Sequence, residues 1–123
     1  MAGRMSRDKG ARAERELYAL LSDELGFVVR RNVDQARAGG ADGIEIDGIA
    51  VEVKRHERAA VPTWWRQTCE QAKGMQRLPI LFYRKSREPW RAVVPTSWNN
   101  WAMQKVEWDK AMLWIRDNMG VLK

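Results

Sequence analysis

Three carboxylates and one lysine in this chain have side chains that could hold a divalent cation and assist a proton transfer beside it: Glu14, Asp42, Glu52 and Lys54. Glu52 and Lys54 flank Val53 in an apolar segment. Because side chains on a strand alternate between its faces, the two lie on one face, about 7 Å apart. The same spacing is typical of an ordinary charge pair on an exposed strand, so the triplet needs support from other residues.

The acids around this triplet are concentrated in a short stretch. Residues 41–53 contain Asp42, Glu45, Asp47 and Glu52 and no basic residue, although the chain carries 22 Lys and Arg against 16 Asp and Glu. Asp47 is explained by a turn with Gly48, and Glu45 can face solvent. Mg²⁺ prefers oxygen ligands and binds through one or two carboxylates together with phosphate oxygens and water. A bound cation would therefore turn a repulsive cluster into a site that polarises a phosphodiester and activates water.

Glu14 extends the apolar stripe of the first predicted helix. At 100° per residue it lies within about 20° of Leu21 and Leu25 on the helical wheel. A carboxylate on a buried stripe is costly unless a charged or coordinating group meets it. The alternative is a benign acid near the helix start, where the macrodipole favours negative charge. Glu16 lies on the opposite side of the helix, where we expect it to be solvated.

The hydrophobic pattern predicts the elements that position these residues. Leucines recur at helical spacing between Asp8 and Leu25, and Gly26 is placed to end that helix. Alternating apolar residues around Asp47-Gly48 predict a β-hairpin. The other predicted elements are a short strand at 27–29, a helix at 63–77, strands at 79–83 and 90–94, and a Trp-rich helical tail at about 96–119. This order predicts an α/β fold in which helices flank a mixed sheet.

The register of the hairpin decides whether Asp42 can meet Glu52. A two-residue turn at Asp47-Gly48 places Asp42 opposite Val53, on the wrong face of the strand. A three-residue turn with Gly48 left-handed pairs Asp42 with Glu52 directly, and a bend at Gly43 would also bring them together. A metal site with both acids therefore predicts an irregular hairpin. A regular two-residue turn with the two acids more than ~8 Å apart would exclude that site.

The composition predicts a single domain with a polyanionic partner. Of 123 residues, 45% are hydrophobic and 31% charged, as in ordinary globular proteins. The net charge of +6 belongs to the part that follows Pro62, with 11 basic and 5 acidic residues after that position against 11 and 11 before it. Nucleic acid is the first candidate partner and an anionic membrane surface the second.

The remaining composition excludes several classes of protein. No apolar run approaches the ~18 residues needed to cross a bilayer, and no apolar segment follows the basic N-terminus, so we expect a cytoplasmic protein. With one cysteine, Cys69, and one histidine, His56, the chain cannot be a zinc finger, a disulfide scaffold or a Cys/His protease.

Short motifs along the chain resemble those of the PD-(D/E)XK nuclease superfamily, and within it those of small phage-type enzymes similar to Holliday junction resolvases. In order, they are residues 10–17 (GARAEREL), Gly40-Ala41-Asp42, Glu52-Val53-Lys54 and the basic segment 84–91. Ala41 stands where the family pattern has proline, a difference that affects the turn more than the chemistry because proline supplies no ligand. The resemblance spans roughly residues 8–95 and implies a restriction-endonuclease-like core.

The resemblance implies a role for each matching residue. Asp42, Glu52 and the backbone carbonyl of Val53 would bind Mg²⁺, for which Mn²⁺ would substitute, and Glu14 would complete the ligand shell directly or through water. Lys54 would orient or activate the attacking water and stabilise charge on the phosphate in the transition state.

The resemblance also implies a Mg²⁺-dependent DNA endonuclease that acts as a homodimer on branched DNA such as a four-way junction. Gln67 or Gln71, one turn apart on the second helix, would be the auxiliary polar residue present in many relatives. The alternatives are an endonuclease or nickase for ordinary duplex DNA, and a DNA-binding module of the same fold without catalysis.

Basic residues near these motifs are candidate phosphate contacts, since such contacts dominate affinity for DNA without reading its sequence. They are Arg30, Arg31, Arg55, Arg84, Lys85 and Arg91. Each is equally well explained as a solvated surface residue. All seven tryptophans follow Pro62, and helical spacing among several of them favours packing over base stacking. Because a domain of this size seldom buries all seven, we expect some of them at a dimer interface.

Overall fold

Five strands form one mixed sheet in the computed structural model, which describes residues 2–29, 45–55 and 60–119. Within these described ranges, three helices flank the sheet. In chain order the elements are α1 Ala2–Leu25, β1 Glu45–Ile46, β2 Ile49–Arg55, α2 Val61–Met75, β3 Leu78–Arg84, β4 Arg91–Ser97, β5 Asn100–Glu107 and α3 Trp108–Asn118. The prediction of an α/β fold with a mixed sheet between helices is therefore confirmed.

The strands lie in the order β1-β2-β3-β4-β5, and β2 and β3 are the parallel pair. A parallel pair needs a crossover connection, and α2 supplies it. The other neighbours are antiparallel. Because β2 and β3 run the same way, their last residues, Arg55 and Arg84, are register partners at one end of the sheet, called here the carboxyl end.

The two faces of the sheet are covered by different helices. Val51 and Val53 belong to the large core cluster that also contains Leu17 and Leu21 of α1 and residues of α3, and we call this side the α1/α3 face. Ala50, of opposite parity on the same strand, packs with Ala72 of α2. This opposite side is the α2 face, and strand alternation assigns the remaining residues of each strand to one face or the other.

The first helix ends where the sequence predicts. Gly26 has a left-handed φ of 81° and donates its N–H to the carbonyl of Ser22, which closes the last turn. The strand predicted at 27–29 is wrong, because the chain there is neither strand nor helix. Its apolar run is explained by Val29 alone, which is buried and donates its N–H to Ser22 Oγ at 2.8 Å, while Phe27 and Val28 are exposed.

The predicted helical tail is correct only in its second half. Residues 100–107 form β5, which pairs with β4 through a turn at Trp98-Asn99, and α3 begins at Trp108. The three-residue spacing of Trp98 and Trp101 therefore does not reflect a helix. Trp98 lies in the turn and Trp101 follows it on β5, and the Trp101 indole N–H donates to the Trp98 carbonyl at 2.8 Å. None of the helices in the described ranges is long and apolar enough to cross a bilayer.

Candidate active site

Glu52 and Lys54 lie side by side on β2, one strand from the edge of the sheet. They share the parity of Ala50 and therefore point to the α2 face. Lys54 Nζ is 3.9 Å from Glu52 Oε1, and the side chain of Glu52 is 6% exposed against 29% for Lys54. The carboxylate is thus held inside the protein beside an ammonium group that still reaches solvent.

Helix α2 covers Glu52 with polar side chains. Ala72 packs on Ala50. Four helix residues rise about 6 Å and two strand residues about 6.6 Å, so Thr68, four residues before Ala72, lies at the level of Glu52. Thr68 is 1% exposed and donates its hydroxyl to the Trp64 carbonyl at 2.7 Å. Glu52 and Thr68 are the buried polar or charged residues of the described chain, and both belong to this face.

The structure separates the two candidate glutamines. Trp65 donates its indole N–H to the Trp101 carbonyl, so its flank of α2 faces β5, and Gln67 and Gln71 lie on the other flank, toward β2. Gln67 is exposed. Gln71 is partly buried, and its side-chain oxygen is fully buried without a hydrogen-bond partner among the described residues. Gln71 is therefore the better candidate of the two to offer a buried oxygen on the face of Glu52, although its backbone lies nearer the level of Ala50.

Glu14 is half-buried on α1, as its place on the apolar stripe predicts. It accepts a hydrogen bond from the Tyr18 hydroxyl at 3.1 Å. Glu16, two residues further, bonds Arg84 at the carboxyl end of the sheet. Glu14 therefore lies over the same end of the sheet as Glu52, but its helix covers the opposite face. A ligand that contacts both Glu14 and Glu52 would have to reach from one face of the sheet to the other around its carboxyl end.

The turn of the hairpin has the two-residue form. Ile46 pairs with Ile49, and Gly48 takes a φ of 78°. The alternative of a three-residue turn is therefore wrong. Asp42 itself lies outside the described residues. If this register continued, Asp42 would face Val53, so a metal site containing Asp42 and Glu52 depends on a bend between residues 42 and 44, as considered for Gly43.

The predicted phosphate contacts that the structure describes gather at the carboxyl end of the sheet. Arg55 and Arg84 are neighbours there in the parallel register, Lys85 follows, and Arg91 opens β4 opposite Tyr83. Lys85 and Arg91 are exposed, whereas Arg55 and Arg84 are partly buried. Arg30 and Arg31 lie outside the described residues. Four cationic side chains thus lie at this end of the sheet, but strand alternation places Arg55 and Arg84 on the α1/α3 face, opposite to Glu52 and Lys54.

Arg84 also has a structural role that sequence analysis missed. It donates to Glu16 Oε1 at 2.5 Å, and its guanidinium lies 5.5 Å from the centroid of the Trp90 ring. The Glu16 side chain is 41% exposed, as expected for a solvated acid, but it also ties α1 to the end of β3. The two residues are 68 positions apart, and no local pattern in the sequence links them.

Two groups on the α2 face have a raised pKa. Burial raises the pKa of the Cys69 thiol from 9.0 to about 11; Lys73 lowers it slightly and Glu70 raises it. Burial also raises the pKa of Tyr83, against the opposing effect of Arg91. Both groups therefore stay neutral near pH 7, so the formal charges of this face come from its acids and its Lys and Arg residues.

The donor atoms around Glu52 are oxygens, the kind of ligand that a hard cation such as Mg²⁺ prefers. They belong to the buried carboxylate of Glu52 and to the buried amide of Gln71, whose oxygen has no partner among the described residues. In the described ranges no three Asp, Glu, His or Cys side chains come close enough together to hold a metal ion. A complete ligand set would therefore need a residue outside those ranges, and the motif resemblance names Asp42.

The elements described above define the class of protein. A mixed sheet with a parallel β2–α2–β3 unit, helices on both faces and a Glu-X-Lys pair on β2 is the restriction-endonuclease-like fold. The model of the family described as "Phage putative PDDEXK endonuclease" matches residues 5–118. The chain belongs to this family, as its motifs predict. No curated protein and no solved structure matches the chain at a significant level.

Proposed function

We propose that this protein is a Mg²⁺-dependent DNA endonuclease whose active site is built on Glu52 and Lys54. The observation that carries the proposal is the buried Glu52 carboxylate, held 3.9 Å from the Lys54 ammonium under the polar flank of α2. Membership of a phage endonuclease family supports hydrolysis of phosphodiesters and a DNA substrate. Because the interior disfavours charged groups, a carboxylate buried at this position indicates a use for its charge.

Each residue of the site has a proposed task. Glu52, Asp42 and the carbonyl of Val53 would hold the cation, Glu14 would act directly or through water, and Gln71 would be the auxiliary oxygen donor. When bound, the cation supplies Lewis-acid polarisation of the phosphate. Lys54 donates hydrogen bonds to the attacking water and to the phosphate oxygens, where negative charge grows in the transition state. The water oxygen bonds to phosphorus, the bond to the leaving sugar oxygen breaks, and that oxygen takes up a proton.

The positive end of the sheet supports a substrate bound mainly through its backbone. Arg55, Arg84, Lys85 and Arg91 lie at the carboxyl end of the sheet. Arg91 pairs with Tyr83 on the α2 face, whereas Arg55 and Arg84 project from the α1/α3 face, so a DNA backbone would pass around this end. Contacts of this type read the phosphate chain and its shape rather than the bases. We therefore propose branched DNA such as a four-way junction as the preferred substrate, and a homodimer as the unit that cuts paired strands. The cytoplasmic location stays a prediction.

Cleavage of end-labelled DNA tests this function. A four-way junction, a linear duplex and a single strand are each incubated with Mg²⁺, with Mn²⁺ or with chelator. We expect metal-dependent cleavage of the junction above that of the duplex, and its loss in Glu52→Ala and Asp42→Ala. Asp109→Ala, an exposed acid on α3, is the matched control and should cut like wild type.

The possible results separate the alternatives. Cleavage that survives in Glu52→Ala would overturn the assigned site. Equal cutting of junction and duplex would leave an endonuclease without junction preference. Binding to all DNA without cleavage under any metal condition would indicate a DNA-binding module of the same fold. Sedimentation of the protein with and without junction measures the oligomeric state directly.

A further inference from the structure

A groove on the α2 face lies apart from the Glu52–Lys54 pair. It runs between α2 and the β4–β5 turn, with a volume of about 560 Å³. Its aromatic wall consists of Trp65, Trp98 and Trp101, and its other wall includes Arg66, Cys69 and Lys73. The proposed nuclease chemistry uses none of these residues.

Trp98 is the exposed member of the aromatic wall. Its relative exposure is 66%, whereas Trp65 is 5% exposed and Trp101 is half-buried. The three residues are held by a chain of hydrogen bonds from the Trp65 indole to the Trp101 carbonyl, and from the Trp101 indole to the Trp98 carbonyl. The groove thus presents a large aromatic ring to solvent on a backbone that is fixed from behind.

The charged residues that line the groove indicate which kind of ligand it would bind. Arg66 and Lys73 are exposed on α2 two turns apart, about 10 Å along the helix, and Arg77 lines a smaller cavity that also contacts Trp101. Glu70 is the acid in the groove. An aromatic ring flanked by spaced cations matches a chain of bases and phosphates, because every base has a face that stacks and every phosphate carries a charge.

We propose that this groove binds single-stranded DNA, with an unpaired base stacked on Trp98 and phosphates held by Arg66 and Lys73. This proposal rests on the proposed endonuclease function in one respect only: the DNA substrate of the endonuclease would supply the single strand. From the spacing between strands and the rise per strand residue, the Cα atoms of Trp98 and Glu52 are roughly 20 Å apart. This is about the length of six stacked nucleotides. A branched or frayed substrate could therefore occupy the groove and the Glu52–Lys54 pair at once.

Binding of a fluorescein-labelled oligothymidine of about 12 nucleotides, measured by anisotropy in chelator, tests the groove without cleavage. We expect Trp98→Ala to weaken this binding about tenfold and Trp98→Phe to retain most of it, because stacking on a ring is sequence-tolerant. Leu113→Ala, an exposed apolar residue on α3, is the matched control and should bind like wild type. Blunt duplex should bind equally well to all of these proteins.

The cationic wall has its own measurement. Lys73→Ala should lower the slope of log K against log salt by about 0.7 for the single strand, the value for one phosphate contact. Lys110→Ala, an exposed lysine on α3, should leave the slope unchanged. Equal binding of the oligothymidine by Trp98→Ala and Leu113→Ala would overturn the proposal. So would a change of sedimentation in Trp98→Ala without a change in binding, which would make the groove an interface between copies of the chain.

Failure of this proposal and failure of the endonuclease function are distinguishable. Glu52→Gln should bind the oligothymidine like wild type, because Glu52 lies outside the groove. Loss of cleavage in Glu52→Gln with unchanged binding supports both proposals. If Trp98→Ala loses oligothymidine binding and the wild-type protein cuts no DNA substrate, the groove is a single-strand binding site and the endonuclease proposal is wrong.

Discussion

The two faces of the sheet differ in what they bury. The α1/α3 face holds one continuous apolar cluster that includes Leu17, Ile80, Phe82 and Ile115, each almost completely buried. The α2 face has two smaller clusters, and between them lie the buried Glu52 and Thr68 and the buried amide oxygen of Gln71. Buried polar groups reduce stability unless they are fully paired, so the α1/α3 face is expected to contribute more to stability, and the α2 face is where we propose that the chemistry takes place.

The largest effect on stability is expected on the α1/α3 face. Phe82 is fully buried, and its ring packs at 5.6 Å between centroids against Trp108. Phe82→Ala should lower the free energy of unfolding by about 3–5 kcal/mol, measured by urea denaturation. Leu113→Ala, exposed on α3, should change it by less than about 0.5 kcal/mol. A small loss for Phe82→Ala would remove the distinction between the faces.

The next effect concerns the thiol on the α2 face. The Cys69 pKa is raised to about 11, so near pH 8 the folded protein should react with iodoacetamide about a hundredfold more slowly than the urea-unfolded chain. Between pH 9 and 11 the unfolded chain loses this proton while the folded protein keeps it, so stability should fall as the pH rises through that range. A folded protein that reacts as fast as the unfolded chain would show that this flank is open to solvent.

A smaller effect separates the two glutamines of α2. Gln71→Met removes a buried oxygen that has no partner among the described residues and should raise the free energy of unfolding by about 1 kcal/mol. The same change should lower DNA cleavage about tenfold, because it removes a proposed oxygen donor on the face of Glu52. Gln67→Met, exposed on the same flank, is the control for both measurements. If the two variants behave alike, Gln71 has no special place in the site.

The smallest effect is expected at the ion pair between α1 and β3. The Glu16 side chain is 41% exposed and that of Arg84 is 19% exposed, so solvent screens their attraction. Glu16→Gln should lower the unfolding free energy by about 0.5 kcal/mol in dilute buffer, and the loss should shrink with added salt. Glu24→Gln, exposed on the same helix, provides the comparison. A loss of several kcal/mol would make this pair part of the stabilising core.

The sequence predicts the fold well wherever its signals are local. Helical spacing of leucines, Gly26 and the Asp47-Gly48 turn predict α1 and the hairpin, and the structure confirms them. The strand β5 was misassigned because an edge strand with mostly exposed side chains lacks the alternation of a half-buried strand. The asparagines at positions 99 and 100 are the turn signal that could have located it.

The site is less predictable than the fold, because its geometry depends on contacts between distant parts of the chain. The spacing of Glu52 and Lys54 predicts their shared face, and the structure confirms it. It does not predict that α1, which carries Glu14, covers the opposite face, since no local pattern determines the face on which a helix packs. Nor can helix periodicity choose between Gln67 and Gln71. The two residues share a flank of α2 and differ in how deeply each is buried, which depends on contacts with distant parts of the chain.

We propose that the buried charge of Glu52 serves catalysis and is not needed for the stability of the fold. Glu52→Gln keeps the shape of the side chain and leaves Lys54 in contact with solvent, so we expect the unfolding free energy to stay within about 1 kcal/mol of wild type. Cleavage of the best DNA substrate with Mg²⁺ should fall by about 10³-fold or more, since the loss of a ligand to a Lewis-acid cation costs several kcal/mol in the transition state. Both quantities are measured on one preparation. Retained cleavage, together with a loss of stability as large as that of Phe82→Ala, would contradict the account and make Glu52 a structural residue.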